Sequence, residues 1–195
     1  MDLRCFLCHG RPFSHWGLAL IIGAGPTALN RSVIILETGS LALPFALLGI
    51  DGRERFFPKD AAGQPAVLVF FKTTCGTCDL AFPYINRLPA AYQSGWRLFA
   101  VAQDSPDEAR RYAQRHGMTY PVLIDAPAYA ASKLYDPPAT PTLFLVDGDG
   151  RIGYSTHGFS KDDLNELSRR LAGWLGEEPA VIAPADDGKP AFKPG

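Results

Sequence analysis

Two cysteines separated by two residues, Cys75 and Cys78, are the side chains of this sequence best suited to chemistry. The apolar run 67–71 before them predicts a short buried strand, and the apolar periodicity from Leu80 to Leu88 predicts a helix. A thiol at the start of a helix faces unpaired backbone N–H groups and the positive end of the helix dipole. Both favour the thiolate, which is the nucleophile. By itself, this position is compatible with redox, metal-binding or structural use of the pair.

The rest of the chain alternates between strand and helix patterns around this junction. Further strands are predicted at 97–102, 120–125, 142–146 and 151–155, and further helices at 105–116, at 128–135 and from Ser160 to an end between Trp174 and Gly176. Asp51-Gly52 and the segment 147–150 lie between apolar runs and predict two β-hairpins. Strands linked through helices imply a parallel core sheet, to which the hairpins add antiparallel strands.

Capping residues predict helix ends, and aromatic residues predict parts of the core. Ser105, Pro106 and Glu108 fit the N-cap, N1 and N3 positions of one helix, which Gly117 is expected to end. Trp96 is expected to border the surface. The aromatic residues expected in the core are Phe71, Tyr84, Phe99, Phe144 and Trp174.

The composition is that of an ordinary globular protein with a hydrophobic core. The chain has 195 residues, of which 47% are hydrophobic and 20% charged, and its formal net charge is −1. One domain with extensions is therefore expected, and neither nucleic acid nor an anionic membrane surface is an expected partner. Four cysteines in two pairs are too few for a disulfide scaffold or a structural zinc site. No apolar run reaches the roughly 18 residues of a membrane span, so no stable span is expected.

A central domain is predicted at residues 37–176, with an extension at each end. Residues 1–36 are predicted to be a poorly ordered extension or a weak signal or anchor. Glycines break the short apolar part of this segment, and the weakness of the signal favours the cytoplasm over export. Residues 5–9 fit a C-x-x-C-H haem-attachment pattern, which we attribute to chance because no segment nearby could supply a haem-sized apolar shell. Residues 177–195 are rich in Pro, Gly, Asp and Lys and are predicted to form a disordered tail.

The elements and motifs together resemble the thioredoxin fold, and within it the TlpA/ResA-type thiol-disulfide oxidoreductases of the redoxin group. The resemblance covers residues 37–176. The segment 70–78 resembles the strand-to-active-site junction of this group, 82–83 its kinked first helix, 139–147 its cis-proline strand and 39–52 its N-terminal hairpin. The resemblance implies an α/β fold of three layers (α/β/α), with a mixed central sheet and an N-terminal β-hairpin.

This resemblance also implies an enzyme that exchanges disulfides with protein substrates through a Cys75–Cys78 couple. Cys75 is the implied nucleophile, Cys78 the implied resolving thiol, and Pro141 is expected to be cis. The residues expected to bind substrate are Thr74, Gly76, Thr77, Thr140 and Pro141. No cofactor or metal is expected. The expected partners are protein dithiols or disulfides and an upstream redox partner, and the chain is expected to be a monomer.

Three positions depart from the pattern of the related groups. Val69 replaces a buried Asp of thioredoxins, Thr74 replaces their Trp, and Ala81 replaces a Glu of ResA-like members. The carboxylate that usually takes a proton from the buried thiol is therefore missing. Lys72, water or the substrate would have to accept that proton, so resolution by Cys78 is expected to be slow.

Three other functions fit parts of the pattern. A peroxiredoxin-like peroxidase carries Thr or Ser and Pro ahead of its cysteine, where this chain has Lys72 and Leu68. A copper chaperone spaces its cysteines more widely and adds a His, for which His157 is the candidate nearby. A purely structural disulfide is the third alternative, although a C-x-x-C bridge at a helix start is strained and exposed.

Overall fold

The cysteine pair follows a strand inside a seven-stranded mixed sheet, in a computed structural model that describes residues 36–195. The strands of this part of the chain are β1 Phe45–Gly49, β2 Glu54–Phe57, β3 Ala66–Phe71, β4 Arg97–Ala102, β5 Val122–Ile124, β6 Thr142–Val146, β7 Ile152–His157, β8 Phe159–Ser160 and β9 Phe192–Lys193. Its helices are α1 Gly76–Ile85, α2 Arg87–Ala91, α3 Pro106–His116, α4 Ala130–Tyr135 and α5 Lys161–Leu175, and a 3₁₀ turn covers Lys59–Ala61.

The order of strands in the main sheet is β2-β1-β5-β4-β3-β6-β7. Strands β3, β4 and β5 are parallel, whereas β1, β6 and β7 pair antiparallel with their neighbours. The first two strands form the predicted hairpin around Asp51-Gly52 and extend the sheet beyond β5. These pairings confirm the α/β class and the mixed central sheet.

Strand β3 is buried on both faces, which explains its uninterrupted run of apolar residues. Val67, Val69 and Phe71 pack in one core cluster with residues of α1, α3 and α5. Leu68 and Phe70 pack in a second cluster with α4 and the first hairpin. Because successive side chains of a strand point to opposite faces, the two clusters lie on opposite sides of the sheet. The predicted three-layer arrangement is therefore confirmed.

The helix ends lie where the capping residues predict them. The Ser105 side chain accepts the backbone N–H of Glu108, whose carboxylate completes the capping box, and Gly117 ends α3 in the left-handed conformation. Helix α5 begins after Ser160, whose hydroxyl also accepts a backbone N–H. The kinked first helix implied by the resemblance is divided at Asn86 into α1 and α2.

The two predictions about tryptophan environments are wrong. Trp96 is only 7% exposed, and its indole N–H donates to the carbonyl of Tyr92 at 2.7 Å. Trp174 is 40% exposed, and its ring covers Gly153, where a Cβ would lie 2.5 Å from the ring. A buried indole is stable when its N–H finds a partner, and the sequence pattern does not reveal that partner.

Residues 177–195 differ from the predicted disordered tail, because they run back along α5 and α1. Ile182 and Ala183 are each 1% exposed and belong to the core cluster of α1, α3 and α5. The Asn165 side chain binds both backbone groups of Ala183, accepting the N–H at 2.9 Å and donating to the carbonyl at 2.8 Å. The amino-acid composition does not predict the order of this segment, because that order depends on such partners in the folded domain.

The second half of the same segment is held by a polar clasp. Asp187 accepts hydrogen bonds from the Tyr84 hydroxyl and the Lys161 ammonium, each at 2.6 Å. The Lys161 ammonium also donates to the Ala185 carbonyl at 3.0 Å. Beyond the clasp, β9 pairs antiparallel with β8. The segment therefore ends beside α1, where the cysteines lie.

Predictions for the N-terminal extension, including the weak signal and the motif at 5–9, lie outside the described residues apart from residue 36. Within residues 36–195, no helix has the length and apolar character needed to cross a membrane. The boundaries 37–176 of the central domain stay a prediction.

Candidate active site

Cys75 is the N-cap residue of α1 and lies half-buried just beyond the end of β3. Its backbone is extended (φ −87°, ψ 109°), and its Sγ accepts the backbone N–H of Cys78 at 3.2 Å. The Cys75 N–H donates to the carbonyl of Lys72 at 3.2 Å, which closes the turn. The thiol thus takes the place of the Ser or Asp of other N-caps and lies among the free amides of the first turn.

Cys78 occupies a different environment one helical turn later. Its side chain is 0% exposed and packs in the core cluster of α1, α3 and α5. Both cysteines are free thiols in this structure. A reagent or substrate from solvent therefore meets Cys75 before it can meet Cys78.

The loop before β6 brings Thr140 and Pro141 to the cysteine pair. The peptide bond between them is cis, as expected from the resemblance. The Cys75 thiol donates to the Thr140 carbonyl at 3.1 Å, across 65 residues of sequence. The Thr142 hydroxyl donates to the Ala139 carbonyl at 2.7 Å, and the antiparallel pairing of β3 with β6 fixes the distance between loop and cysteines.

The pKa of Cys75 is lowered below its ordinary value, although partial burial by itself raises it. The side chains of Thr140 and Cys78 and the backbone N–H groups of Cys78 and Thr77 donate to the sulfur and favour the thiolate. The contact with the Thr140 carbonyl acts in the opposite direction, because it requires the thiol proton. The net effect makes Cys75 nucleophilic at lower pH than an ordinary cysteine.

The pKa of Cys78 is shifted in the other direction. Burial raises it far above the ordinary value, the backbone N–H of Lys72 opposes this shift, and the neighbouring Cys75 adds to it. Desolvation favours the neutral form of any thiol, and a second thiolate close to the first is repelled by it. The two cysteines therefore ionise in a fixed order, with Cys75 first.

The other residues predicted to bind substrate lie at the start of α1. Thr74 and Gly76 are exposed on either side of Cys75. Thr77 is only 5% exposed, and its hydroxyl donates to the Pro194 carbonyl at 2.8 Å. The fold brings the cysteines and the predicted substrate-binding residues together, and the C-terminal end of the chain covers part of that set.

Asp104 is a residue of the site that the sequence analysis missed. Its carboxylate accepts the backbone N–H of Thr73 at 2.8 Å and so holds the turn that leads to Cys75. A signal for it exists in the sequence. Thr73 and Asp104 each follow one of two adjacent parallel strands, β3 and β4, whose carboxyl ends meet at one edge of the sheet.

Tyr112 of α3 is a second missed residue, and it lies behind the buried cysteine. Its hydroxyl is buried and has no hydrogen-bond partner within residues 36–195. Burial raises its pKa, and the nearby Cys78 and Asp79 raise it further. Tyr112 therefore stays a neutral phenol. It does not replace the missing carboxylates at Val69 and Ala81, which are both buried and apolar.

The arrangement of donors does not support the copper-binding alternative. No group of three or more His, Cys, Asp or Glu side chains in the described part of the chain could hold a metal ion. His157, the candidate ligand, lies exposed at the end of β7. A thiol pair alone is an incomplete ligand set for a closed metal site.

The fold and the site together define a class. A C-x-x-C pair at a helix N-terminus, preceded by a buried parallel strand and faced by a cis-proline loop, is the arrangement of thioredoxin-like thiol-disulfide oxidoreductases.

A model of the AhpC/TSA family matches residues 38–155. The thiol-disulfide oxidoreductase ResA of Geobacillus thermodenitrificans is 32% identical over 134 residues, which cover 67% of this chain and 76% of that protein. The thioredoxin-like protein YneN of Bacillus subtilis is 28% identical over 146 residues, with coverages of 70% and 84%. A candidate thiol:disulfide interchange protein DsbE from Chlorobium tepidum has a similar crystal structure, with a TM-score of 0.66 and 29% identity, covering 72% of this chain and 99% of that one.

The chain belongs to the AhpC/TSA family, within which it is a thiol-disulfide oxidoreductase of the TlpA/ResA type. The fold, the enzyme class and the family that the sequence indicated are confirmed.

Proposed function

We propose that Cys75 and Cys78 form the redox couple of this oxidoreductase, and that it exchanges disulfides with protein substrates. The observation that carries the proposal is the contrast between the two thiols. Cys75 is half-buried with a lowered pKa, whereas Cys78 is fully buried with a raised one. An attacking thiol must reach the substrate, but a resolving thiol needs to reach only the sulfur of its partner.

In the reductive direction, the Cys75 thiolate attacks one sulfur of a substrate disulfide. The substrate S–S bond breaks, a disulfide between Cys75 and the substrate forms, and one substrate thiolate leaves. Cys78 then loses its proton, attacks the Cys75 sulfur and releases the second substrate thiolate. Two electrons pass to the substrate, whose thiolates take up the protons of the two cysteines. The oxidative direction is the same sequence reversed.

The proton of Cys78 needs an acceptor in the second step. Val69 and Ala81 offer no carboxylate, the Lys72 side chain is exposed, and Tyr112 is itself protonated. We assign the proton to water or to the departing substrate thiolate. Resolution by Cys78 is then slower than attack by Cys75, because the buried thiol must ionise without a fixed base.

The substrate approaches over the loop at Thr140-Pro141. The backbone of Thr140 faces Cys75, and exposed Thr74 and Gly76 lie on either side of it. An extended polypeptide can hydrogen-bond to such a backbone with little dependence on its side chains, which suits varied protein substrates. A second dithiol protein must restore the couple after each turnover. Monomeric state and cytoplasmic location stay predictions from the sequence.

Trapping of mixed disulfides tests the assignment of roles. The Cys78→Ser variant, incubated with an oxidised protein substrate, should accumulate a disulfide between Cys75 and that substrate. The Cys75→Ser variant should accumulate little, because its remaining thiol is buried and protonated. Equal trapping by both variants would contradict the roles. Absence of a Cys75–Cys78 disulfide that dithiothreitol can reduce in the wild-type protein would contradict the function itself.

A further inference from the structure

We propose that residues Ala191–Gly195, here called the covering segment, occupy the surface on which a protein substrate binds, so that a substrate must displace them. This inference rests on the proposed function of the Cys75–Cys78 couple. The covering segment is an extended peptide, and it competes with the protein substrate for the same surface.

The covering segment contacts the same groups that a substrate is expected to use. Its Pro194 carbonyl accepts the hydroxyl of Thr77 at 2.8 Å. A Cβ on Gly195 would lie 2.9 Å from the Thr140 carbonyl oxygen, which itself accepts the Cys75 thiol at 3.1 Å. The same Cβ would lie 3.2 Å from the Thr140 nitrogen. Gly195 therefore lies directly on the backbone that faces the nucleophile.

The fit depends on backbone atoms rather than on large side chains. A Cβ on Gly195 would also come within 2.6 Å of the Ala139 Cβ. On the other side, a Cβ on Gly158 would lie 3.0 Å from both the Gly195 nitrogen and the Lys193 carbonyl oxygen. Two glycines thus allow backbones to approach more closely than other residues would permit.

The covering segment binds by addition of a strand. β9 pairs antiparallel with β8, with Lys193 opposite Phe159 and Phe192 opposite Ser160. The Ala191 carbonyl accepts the backbone N–H of Lys161 at 2.9 Å. Strand addition is one of the common modes in which domains bind extended peptides, and its affinity comes from main-chain hydrogen bonds.

The C-terminal segment is held firmly at residues 182–187, but its last residues, 191–195, make only a shallow contact. Ile182 is 1% exposed, and the clasp at Asp187 joins Tyr84 and Lys161. Residues 191–195 are exposed, and Phe192 is 63% exposed. The anchor keeps the covering segment at high effective concentration next to the site, while the shallow contact permits its displacement.

This arrangement separates large substrates from small ones. A small disulfide needs only the half-buried Cys75 sulfur, which the covering segment leaves accessible. A protein substrate needs the Thr140 backbone and the Thr77 surface as well. Its apparent affinity is the intrinsic affinity multiplied by the fraction of molecules in which these groups are free.

The test compares the full chain with a variant that ends at Pro190, which retains the clasp at Asp187. With oxidised insulin as the protein substrate and dithiothreitol as reductant, removal of 191–195 should raise kcat/KM by about tenfold, as expected if the site is free in about a tenth of molecules. With a small aromatic disulfide as substrate, the rate should change less than about twofold, because that substrate needs no displaced surface.

A point variant tests the same idea without truncation. In the full chain, Gly195→Leu introduces a side chain that clashes with Ala139 and Thr140, so the covering segment should detach and insulin reduction should rise. The matched control is Phe192→Ala in the same segment, whose side chain is exposed and whose backbone pairing stays intact. The control should retain the wild-type rate.

The outcomes distinguish this inference from the proposed function. Unchanged or lower insulin reduction in both variants, with an active wild-type protein, would overturn the inference and leave the redox couple in place. Equal acceleration of the small disulfide would also overturn it, because the segment would then cover only the sulfur. If neither the wild-type protein nor the variants exchange any disulfide, the proposed function itself fails.

Discussion

The cysteine junction and the C-terminal segment 177–195 meet at one surface, but they acquire their structure in different ways. The junction is built from adjacent residues: a buried strand, a turn and a helix N-terminus hold Cys75. The C-terminal segment depends on partners far away in sequence, such as the bond between Tyr84 and Asp187 across 103 residues. Local periodicity describes the first kind of structure. It is silent about the second, where backbone groups find side-chain partners only after folding.

The largest expected contrast concerns the two thiols of the junction. At neutral pH, iodoacetamide should label Cys75 at least about a hundredfold faster than Cys78, because each pKa unit between them changes the thiolate fraction about tenfold. The pKa of Cys75 is lowered, so its labelling should reach half of its maximal rate at a lower pH than that of an ordinary cysteine. Mass spectrometry of labelled peptides measures both rates. Similar rates for the two thiols would contradict the structural contrast.

The second prediction asks whether the C-terminal segment is part of the core. Ile182→Ala should lower the free energy of unfolding by about 2–4 kcal/mol, because it deletes a fully buried side chain beside α5. The adjacent Val181 is 70% exposed, so Val181→Ala serves as control and should change stability by less than about 0.5 kcal/mol. Urea unfolding of both variants gives the comparison. Equal effects would mean that the segment contributes nothing to the core.

The third prediction concerns the pH dependence of the clasp. The Lys161 ammonium and the Tyr84 hydroxyl hold the pKa of Asp187 well below its ordinary value of 3.8. Because the folded-state pKa is lower than the unfolded one, the carboxylate stabilises the clasp fully above pH 3.8, and this contribution decreases progressively as the pH falls from 3.8 towards the lowered pKa of the folded state. Hydrogen exchange in residues 187–195, corrected for intrinsic rates, should therefore increase in acid.

Asp187→Asn should show faster exchange in the same residues already at neutral pH, since a neutral amide replaces the ion pair with the buried Lys161 ammonium by a weaker hydrogen bond. The neighbouring exposed Asp186 provides the control, because Asp186→Asn leaves the clasp intact. Wild-type protection in Asp187→Asn would show that the clasp does not hold the segment.

The smallest effects come from two buried tyrosines. The Tyr92 hydroxyl binds Ser168 at 2.8 Å and accepts the N–H of Ala180 at 2.9 Å, so it joins α5 to the C-terminal segment. Tyr92→Phe should therefore cost about 1–2 kcal/mol. The Tyr112 hydroxyl beside Cys78 has no partner in the described chain, so Tyr112→Phe should be neutral or stabilising by up to about 1 kcal/mol. Thermal unfolding of both variants measures the difference, and a larger loss for Tyr112→Phe would indicate an unseen partner.

Much of the fold could be predicted because its signals are local. Asp51-Gly52 marks a hairpin, and Ser105 with Glu108 marks a helix start, since each motif makes its hydrogen bonds within a few residues. The predicted environments of Trp96 and Trp174 are wrong, since Trp96 is buried and Trp174 is exposed. Their burial depends on which neighbour covers the indole, and that neighbour is chosen by tertiary packing.

The candidate site also contains residues that the sequence predicts and residues whose place depends on tertiary packing. Cys75 and Cys78 are recognisable from residue type and spacing, and Pro141 from the resemblance to the family. Asp104 has a sequence signal in its position after a strand, whereas the place of Tyr112 depends on how α3 packs beside the junction. The sequence also indicated that the usual carboxylates are absent at Val69 and Ala81. It could not indicate that a phenol lies behind the buried thiol.

The sequence by itself determined the nucleophilic junction, because a thiol at a helix N-terminus after a buried strand follows from apolar pattern and cysteine spacing alone. The tertiary structure decided the difference between the two thiols, since burial and contact with the Thr140 loop require the whole sheet. It also decided the place of residues 177–195. Their polar composition predicts no core, yet Asn165, Lys161 and Thr77 provide partners for their backbone and carboxylate groups. Those partners come together only in the folded chain.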